Sequence, residues 1–122
     1  MSKRKKNLGK LGEQLAKKLL QNKGYKFIIE NFHCRFGEID LIFQDKETLV
    51  FVEVKTRWSN KFGIPEEAIT PRKIKSIVKT GEYFKTLHSQ LSKSLRIDAV
   101  AIELTPDNFK LKSVRHIKSI TS

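Results

Sequence analysis

The sequence has too few cysteines for an internal disulfide and too few consecutive apolar residues for a membrane span. Its 122 residues include one cysteine, Cys34, and a lone thiol is compatible with a reducing cytoplasm. No stretch approaches the ~20 apolar residues that a transmembrane helix needs. Four of the first six residues are basic, but no apolar segment follows them, so they are not a secretory signal. These absences predict a cytoplasmic protein with no membrane partner.

Acidic residues are also scarce. The chain carries 25 Lys and Arg against 13 Asp and Glu, which gives a net charge of +12. A charge of this sign favours a polyanionic partner, either nucleic acid or an anionic membrane surface. The membrane is disfavoured because the basic residues lie on predicted helices whose apolar faces are needed for the core. Nucleic acid is therefore the expected partner, most simply DNA.

The apolar periodicity predicts a flexible basic arm at residues 1–7 and one domain at residues 8–122. Leucines at helical spacing from Leu8 predict a first helix that stops at Gly24, and Thr70 followed by Pro71 predicts the start of a second. Runs of β-branched and aromatic residues predict five strands, at 25–30, 37–43, 48–57, 94–104 and 109–120. The element order α-β-β-β-α-β-β predicts an α/β fold with a mixed central sheet flanked by helices.

Acidic side chains interrupt two neighbouring apolar strands. The third predicted strand is apolar on both faces, as in a buried central strand, yet one face ends in Glu53 and Lys55. Asp40 interrupts the second strand, where aspartate is disfavoured. A turn at residues 44–47 would pair these strands antiparallel, so that Asp40 and Glu53 become neighbours across the ladder.

Two adjacent carboxylates repel each other in a dry site, and a hard divalent cation removes that repulsion. Mg²⁺, or Mn²⁺ in its place, takes oxygen ligands and polarises a phosphoryl oxygen. Lys55 would stabilise charge on the phosphate or help to position the attacking water. The set Asp40, Glu53 and Lys55 thus predicts phosphodiester hydrolysis. The alternative interpretation is an exposed ion pair between Glu53 and Lys55 where the strand emerges into solvent.

These residues also carry a resemblance to known nucleases. Asp40 with Glu53 and Lys55 resembles the D…ExK core of the PD-(D/E)xK, or restriction-endonuclease-like, superfamily. The segments GEIDLIF at 37–43 and LVFVEVKTR at 49–57 resemble the YraN-like family of small bacterial proteins over nearly the whole chain from Leu8. The resemblance implies a restriction-endonuclease-like fold, with archaeal Holliday-junction resolvases as relatives in architecture. It also matches Glu13 to an acidic residue on the first helix of resolvase-like relatives, which implies a third metal ligand; the alternative is a solvated glutamate on that helix.

Several other charged residues are candidates for a role in the site. An exposed face of the second helix and the end of the third strand are expected to contact phosphate, through Arg57, Arg72, Lys73, Lys75 and Lys79. The alternative for the helix residues is a solvated face without a ligand. Asp98 is expected to be structural and to pair with Arg96. Trp58 either stacks on a base or anchors a loop.

The sequence therefore predicts a nuclease that depends on a divalent metal and hydrolyses DNA, with branched or structured DNA as one class of substrate. The alternative function is a nucleic-acid-binding protein of the same fold with little or no cleavage. Cutting both strands of a duplex needs two active sites, which favours a homodimer.

Overall fold

The computed structural model describes residues 3–58, 64–91 and 94–120, with side chains from residue 7 onward. Two α-helices and five β-strands follow one another in the predicted order: α1 (Lys3–Asn22), β1 (Lys26–Cys34), β2 (Gly37–Asp45), β3 (Thr48–Arg57), α2 (Pro71–Leu87), β4 (Ser94–Leu104) and β5 (Leu111–Ile117). A short 3₁₀ helix, Pro65–Ala68, precedes α2. Within these described ranges no helix has the length and apolarity to cross a bilayer.

The five strands form one mixed sheet in the order β1-β2-β3-β4-β5. The first three strands are an antiparallel meander, β4 runs parallel to β3, and β5 returns antiparallel to β4. A parallel neighbour requires a crossover connection, and α2 lies in the segment that joins β3 to β4. The predicted fold class and the predicted mixed sheet are thus confirmed.

Each face of the sheet is covered by one helix. On one face, α1 packs Leu8, Ala16 and Leu20 against the even-numbered valines of β3. On the other, α2 packs Ile77 and Phe84 against odd-numbered β3 residues that include Phe51. Because β3 is buried on both faces, it is the centre of the core, as its two apolar faces predicted.

Several boundaries differ from the sequence prediction. Helix α1 begins at Lys3, before the predicted start at Leu8. Strand β1 continues to Cys34 and β2 to Asp45, and β5 is shorter than predicted and ends at Ile117. The predicted loop at 58–67 includes residues 59–63, which lie outside the described residues.

The packing of α2 on β3 depends on Gly81, and this gives a stability prediction. A Cβ atom at Gly81 would lie 2.5 Å from the buried Phe51 ring, whereas a Cβ at Gly9 meets nothing within 4 Å. Gly81→Ala should therefore lower the free energy of unfolding by about 1–3 kcal/mol through overpacking. Gly9→Ala, the control in α1, should raise it by up to ~1 kcal/mol through helix propensity. Urea unfolding of both variants tests this, and equal effects would contradict it.

Candidate active site

Asp40 lies where β2 loses its backbone pairing. The ladder between β2 and β3 ends at the pair Leu41 and Val52, one step before Asp40. On its other side β2 also skips this position, because the opposing Asn31 adopts a left-handed conformation with φ of 54°. The Asp40 carboxylate accepts a hydrogen bond from the Val54 backbone N–H at 2.8 Å. This bond holds the side chain against the end of β3.

Glu53 is the buried partner of Asp40. Glu53 is 3% exposed, and it lies on the β3 face that α2 covers. Burial raises its pKa, a hydrogen bond shared with Asp40 and the Asp40 charge raise it further, and the value reaches about 8 despite Lys73 and Lys55. The predicted juxtaposition of Asp40 and Glu53 is therefore present in the fold.

Lys73 supplies a positive charge to the buried carboxylate. Its Nζ lies 3.3 Å from Glu53 Oε2. That oxygen is buried and has no hydrogen-bond partner among the described residues, so the contact is an ion pair without hydrogen-bond geometry. Thr70 sets the position of Lys73, because its Oγ1 caps α2 by accepting from the Lys73 backbone N–H at 3.1 Å.

Lys55 lies on the same face of β3, two residues after Glu53. Strand alternation puts both side chains on the α2 side, and the Lys55 charge opposes the rise in the pKa of Glu53. The ion pair with Glu53 is made by Lys73 and lies in a buried site, so the interpretation of Glu53 and Lys55 as an exposed ion pair is not supported.

Glu13 on α1 is electrostatically coupled to Asp40. The pKa of Glu13 is raised to about 7, chiefly by burial and then by the negative charges of Asp40, Glu38 and Glu30. Nevertheless, no three His, Cys, Asp or Glu side chains in the described part of the chain converge closely enough to hold a metal ion together. Glu13 therefore faces the site without joining Asp40 and Glu53 in a closed ligand set.

The pair of carboxylates fits a hard divalent cation. Mg²⁺ is commonly held by one or two carboxylates while its other positions take water and substrate phosphate. Asp40 and Glu53 offer oxygen atoms only, and Glu53 Oε2 is buried without a hydrogen bond among the described residues. A buried acceptor without a hydrogen bond, next to a second carboxylate, is an atom that a metal cation could bind in place of the Lys73 ammonium. The donor set is thus compatible with Mg²⁺ or Mn²⁺.

The remaining basic candidates are distributed around this pair. Arg57 follows Lys55 on the same β3 face, but its Nε is buried and has no hydrogen-bond partner in the described ranges. Arg72, Lys75 and Lys79 are exposed on α2, the helix whose Lys73 contacts Glu53. Their contact with phosphate stays a prediction.

A second buried acid, Asp98, shows how this fold satisfies a carboxylate that has a structural role. Arg96 donates two hydrogen bonds to it at 2.8 and 3.0 Å, and the Ser119 backbone N–H donates a third at 3.0 Å. Lys23 can only donate to His116 Nδ1, so His116 Nε2–H donates to Asp98 at 2.8 Å. Burial alone would raise the pKa of Asp98, but these bonds hold it at about 2. The predicted pairing with Arg96 is confirmed.

Sequence reasoning missed the ion pair between Lys73 and Glu53. Lys73 was predicted only as a phosphate contact on an exposed helix face. The Thr70–Pro71 cap puts Lys73 in the first turn of α2, but no signal in the sequence gives the angle at which α2 crosses β3. Trp58 packs against the core on the α1 side, which favours the anchoring interpretation of that residue.

The raised pKa values predict how stability depends on pH. Between pH 4.5 and about 8 the folded protein retains a proton on Glu53, whereas the same carboxyl in the unfolded chain has released it. Glu13 retains its proton in the same way between pH 4.5 and about 7. Because the folded state binds more protons in this window, the free energy of unfolding in EDTA should fall as the pH rises from 5 to 8. Glu53→Gln, which cannot ionise, should flatten this slope in urea unfolding.

The control for this measurement is Glu103→Gln. A hydrogen bond from Arg115 lowers the pKa of Glu103, so that residue titrates below the window and its replacement should leave the slope unchanged. A parent protein whose stability rises with pH over this range would contradict the assignment of a protonated Glu53.

Comparisons with known proteins identify the family. A sequence model described as "Uncharacterised protein family UPF0102" matches residues 12–102. A UPF0102 protein of Caldanaerobacter subterraneus subsp. tengcongensis is 42% identical over 113 residues, which cover 93% of each chain. Those of Caldicellulosiruptor bescii and Syntrophus aciditrophicus are 45% and 41% identical; the matches cover 84% and 88% of this chain and 87% and 84% of theirs. The predicted resemblance to YraN-like proteins is thereby confirmed, and the chain belongs to the UPF0102 family.

Proposed function

We propose that this protein is a cytoplasmic nuclease that requires a divalent metal and hydrolyses phosphodiester bonds in DNA. The observation that carries the proposal is the buried pair formed by Asp40 and Glu53, where one carboxylate oxygen has no hydrogen bond among the described residues and the pKa of Glu53 is raised to about 8. Strongly perturbed carboxyls that meet at one point are typical of catalytic sites. The net charge of +12 supports a polyanionic substrate.

The contrast with Asp98 argues against a structural role for Glu53. Asp98 accepts four hydrogen bonds, and the pKa of its carboxyl is low. Glu53 is nearly as inaccessible, yet among the described residues it has a neighbouring carboxylate and one ammonium at ion-pair distance. A site that served stability alone would gain from a hydrogen-bonded or apolar residue at this position.

Each residue near the pair has a task in this proposal. Asp40 and Glu53 would hold Mg²⁺ or Mn²⁺, and a bound ion of this kind polarises a phosphoryl oxygen and lowers the pKa of its water. Lys55 would contact the phosphate and stabilise its developing charge. Glu13 would orient a water molecule from the α1 side. Lys73 would break its contact with Glu53 and contact the substrate instead.

The second candidate function is DNA binding by the same surface with little or no cleavage. It is favoured by one observation, which is that Glu13 does not complete a group of three metal-binding side chains in the described residues. For the nuclease, cutting both strands of a duplex would need two copies of the chain.

Cleavage should require the metal and the three predicted catalytic residues. Asp40→Ala, Glu53→Ala and Lys55→Ala should each lower the cleavage rate on the order of 10²-fold or more, as the removal of a charge stabiliser does. The measurement is a screen of branched, flapped, single-stranded and duplex DNA with Mg²⁺ and with Mn²⁺. Full cleavage in EDTA, or a fully active Glu53→Ala protein, would rule out the proposed mechanism.

DNA binding should depend on salt through the α2 side chains in particular. Each phosphate contact adds about 0.9 to the slope of log affinity against log salt concentration. Replacement of Lys75 and Lys79 by Ala should reduce that slope by about one to two. Replacement of Lys110 and Lys112, two exposed residues at or next to β5, removes the same charge and should leave the slope unchanged. Equal losses for both pairs would show that net charge alone drives binding.

A further inference from the structure

An exposed aromatic cluster lies beside the turn between β1 and β2. Phe36 in this turn is 38% exposed, and Tyr83 on α2 is 40% exposed. Their ring centroids are 6.2 Å apart at an interplanar angle of 65°. Tyr83 also stacks on Phe32, with centroids 6.5 Å apart and an angle of 29°. Two large exposed rings in contact form a contiguous apolar patch, whereas single apolar residues scattered over a surface do not.

The turn that carries Phe36 is fixed to α2. Ser76 Oγ donates a hydrogen bond to the Phe36 carbonyl oxygen at 2.9 Å. Gly37 has a φ of 146° and approaches the helix so closely that a Cβ there would lie 2.1 Å from Ser76 Oγ. The Phe36 backbone is therefore held in place in the absence of a ligand, and this reduces the entropic cost of binding.

The cluster is close to the proposed active site along α2. Ser76 lies three residues after Lys73 and Tyr83 lies ten residues after it. At about 1.5 Å per residue, these positions are about 5 Å and about 15 Å from Lys73 along the helix axis. A stacked strand rises about 3.4 Å per nucleotide along its axis. A strand that followed α2, with one phosphate at the proposed metal site of Asp40 and Glu53, would therefore bring a base to the cluster within about one to four nucleotides.

The surroundings of the rings are basic. The Arg35 guanidinium lies 4.8 Å from the centroid of the Phe36 ring, and exposed Lys79 is one helical turn before Tyr83. Glu38 and Glu82 are the acids nearby along the chain, and Arg72 and Lys75 extend the positive row towards the carboxylates. Flat rings and a guanidinium among cations fit a polyanion that carries planar bases.

We propose that Phe36, Tyr83 and Arg35 form a stacking platform for an unpaired base, so that the substrate class is DNA with unpaired bases next to the cut. The inference rests on the proposed function, because it specifies the substrate of the same site. A continuous duplex keeps its bases stacked inside and would leave the rings without a ligand. A flap, a loop or a single strand offers the free π-face that the platform binds.

The test is fluorescence anisotropy in EDTA with three labelled probes: oligothymidine, the same backbone with abasic sugars, and a blunt duplex. Phe36→Ala and Tyr83→Ala should each weaken oligothymidine binding between about fivefold and 150-fold. Binding of the duplex and of the abasic strand should stay unchanged, because phosphate contacts remain. Leu111→Ala is the matched control, since Leu111 is 51% exposed at the β5 edge of the sheet.

Two results would overturn the platform. One is unchanged oligothymidine binding in both alanine variants; if these variants also abolish a dimer in sedimentation, the patch binds a second copy of the chain instead. The other is an equal loss on all three probes. If an alanine variant melts below the parent, Phe36→Leu and Tyr83→Leu keep the apolar volume without the flat ring and should show the same selective loss.

Failure of the platform and failure of the nuclease proposal can be told apart. Binding in EDTA needs no cleavage, so selective loss in a protein that cuts nothing would retain the platform and overturn the proposed activity. Cleavage of blunt duplex and flap at equal rates, unaffected by Phe36→Ala, would retain the nuclease and overturn the platform.

Discussion

Burial of β3 on both faces is the constraint on which the rest of the structure depends. Helix α1 covers its valines and α2 covers the opposite face, so every side chain from Leu49 to Val54 is withdrawn from water. Glu53 belongs to that series and must be accommodated in a dry environment. The Lys73 ammonium stabilises the charged form of Glu53, and the raised pKa favours its protonated form; either limits the repulsion from Asp40.

The break in β2 is the second half of this arrangement. A regular strand would carry the Asp40 backbone through two ladders, but pairing is absent on both sides at this residue. The Val54 N–H therefore bonds the Asp40 side chain in place of a backbone carbonyl. Sheet irregularities of this kind occur next to active sites, where they redirect a side chain. Here the irregularity turns a disfavoured strand residue into one of the two oxygen donors of the candidate site.

Much of this could be predicted from the sequence, since the relevant signals are local. The two apolar faces of β3 predicted its central place, and the short turn before Thr48 set the register that makes Asp40 and Glu53 neighbours. The Thr70–Pro71 pair predicted the start of α2. These features depend on residues that are close together in the chain, where alternation and capping rules apply.

Features that depend on packing between distant elements could not be predicted in the same way. The ion pair between Lys73 and Glu53 requires the angle at which α2 crosses the sheet, which no local pattern encodes. The same holds for the Asp98 cluster, whose partners lie at positions 96, 116 and 119, with Lys23 reaching His116 from the end of α1. Helix α1 shows a smaller effect: Leu11 is 42% exposed although it has helical apolar spacing, because the helix contacts the sheet along Leu8, Ala16 and Leu20.

The chain separation of the site residues has a consequence for folding. Asp40 and Val54 are 14 residues apart and meet when one hairpin closes, whereas β4 must return across 46 residues to pair with Thr48, with α2 in between. The entropic cost of loop closure is therefore lower for the hairpin that brings the carboxylates together than for the return of β4 to β3. A partial opening that released α2 would expose the two carboxylates to solvent without separating them. The hairpin would keep the oxygen donors together while the helix carried Lys73 and the aromatic Tyr83 away, because the two halves of the candidate site lie on different supersecondary units.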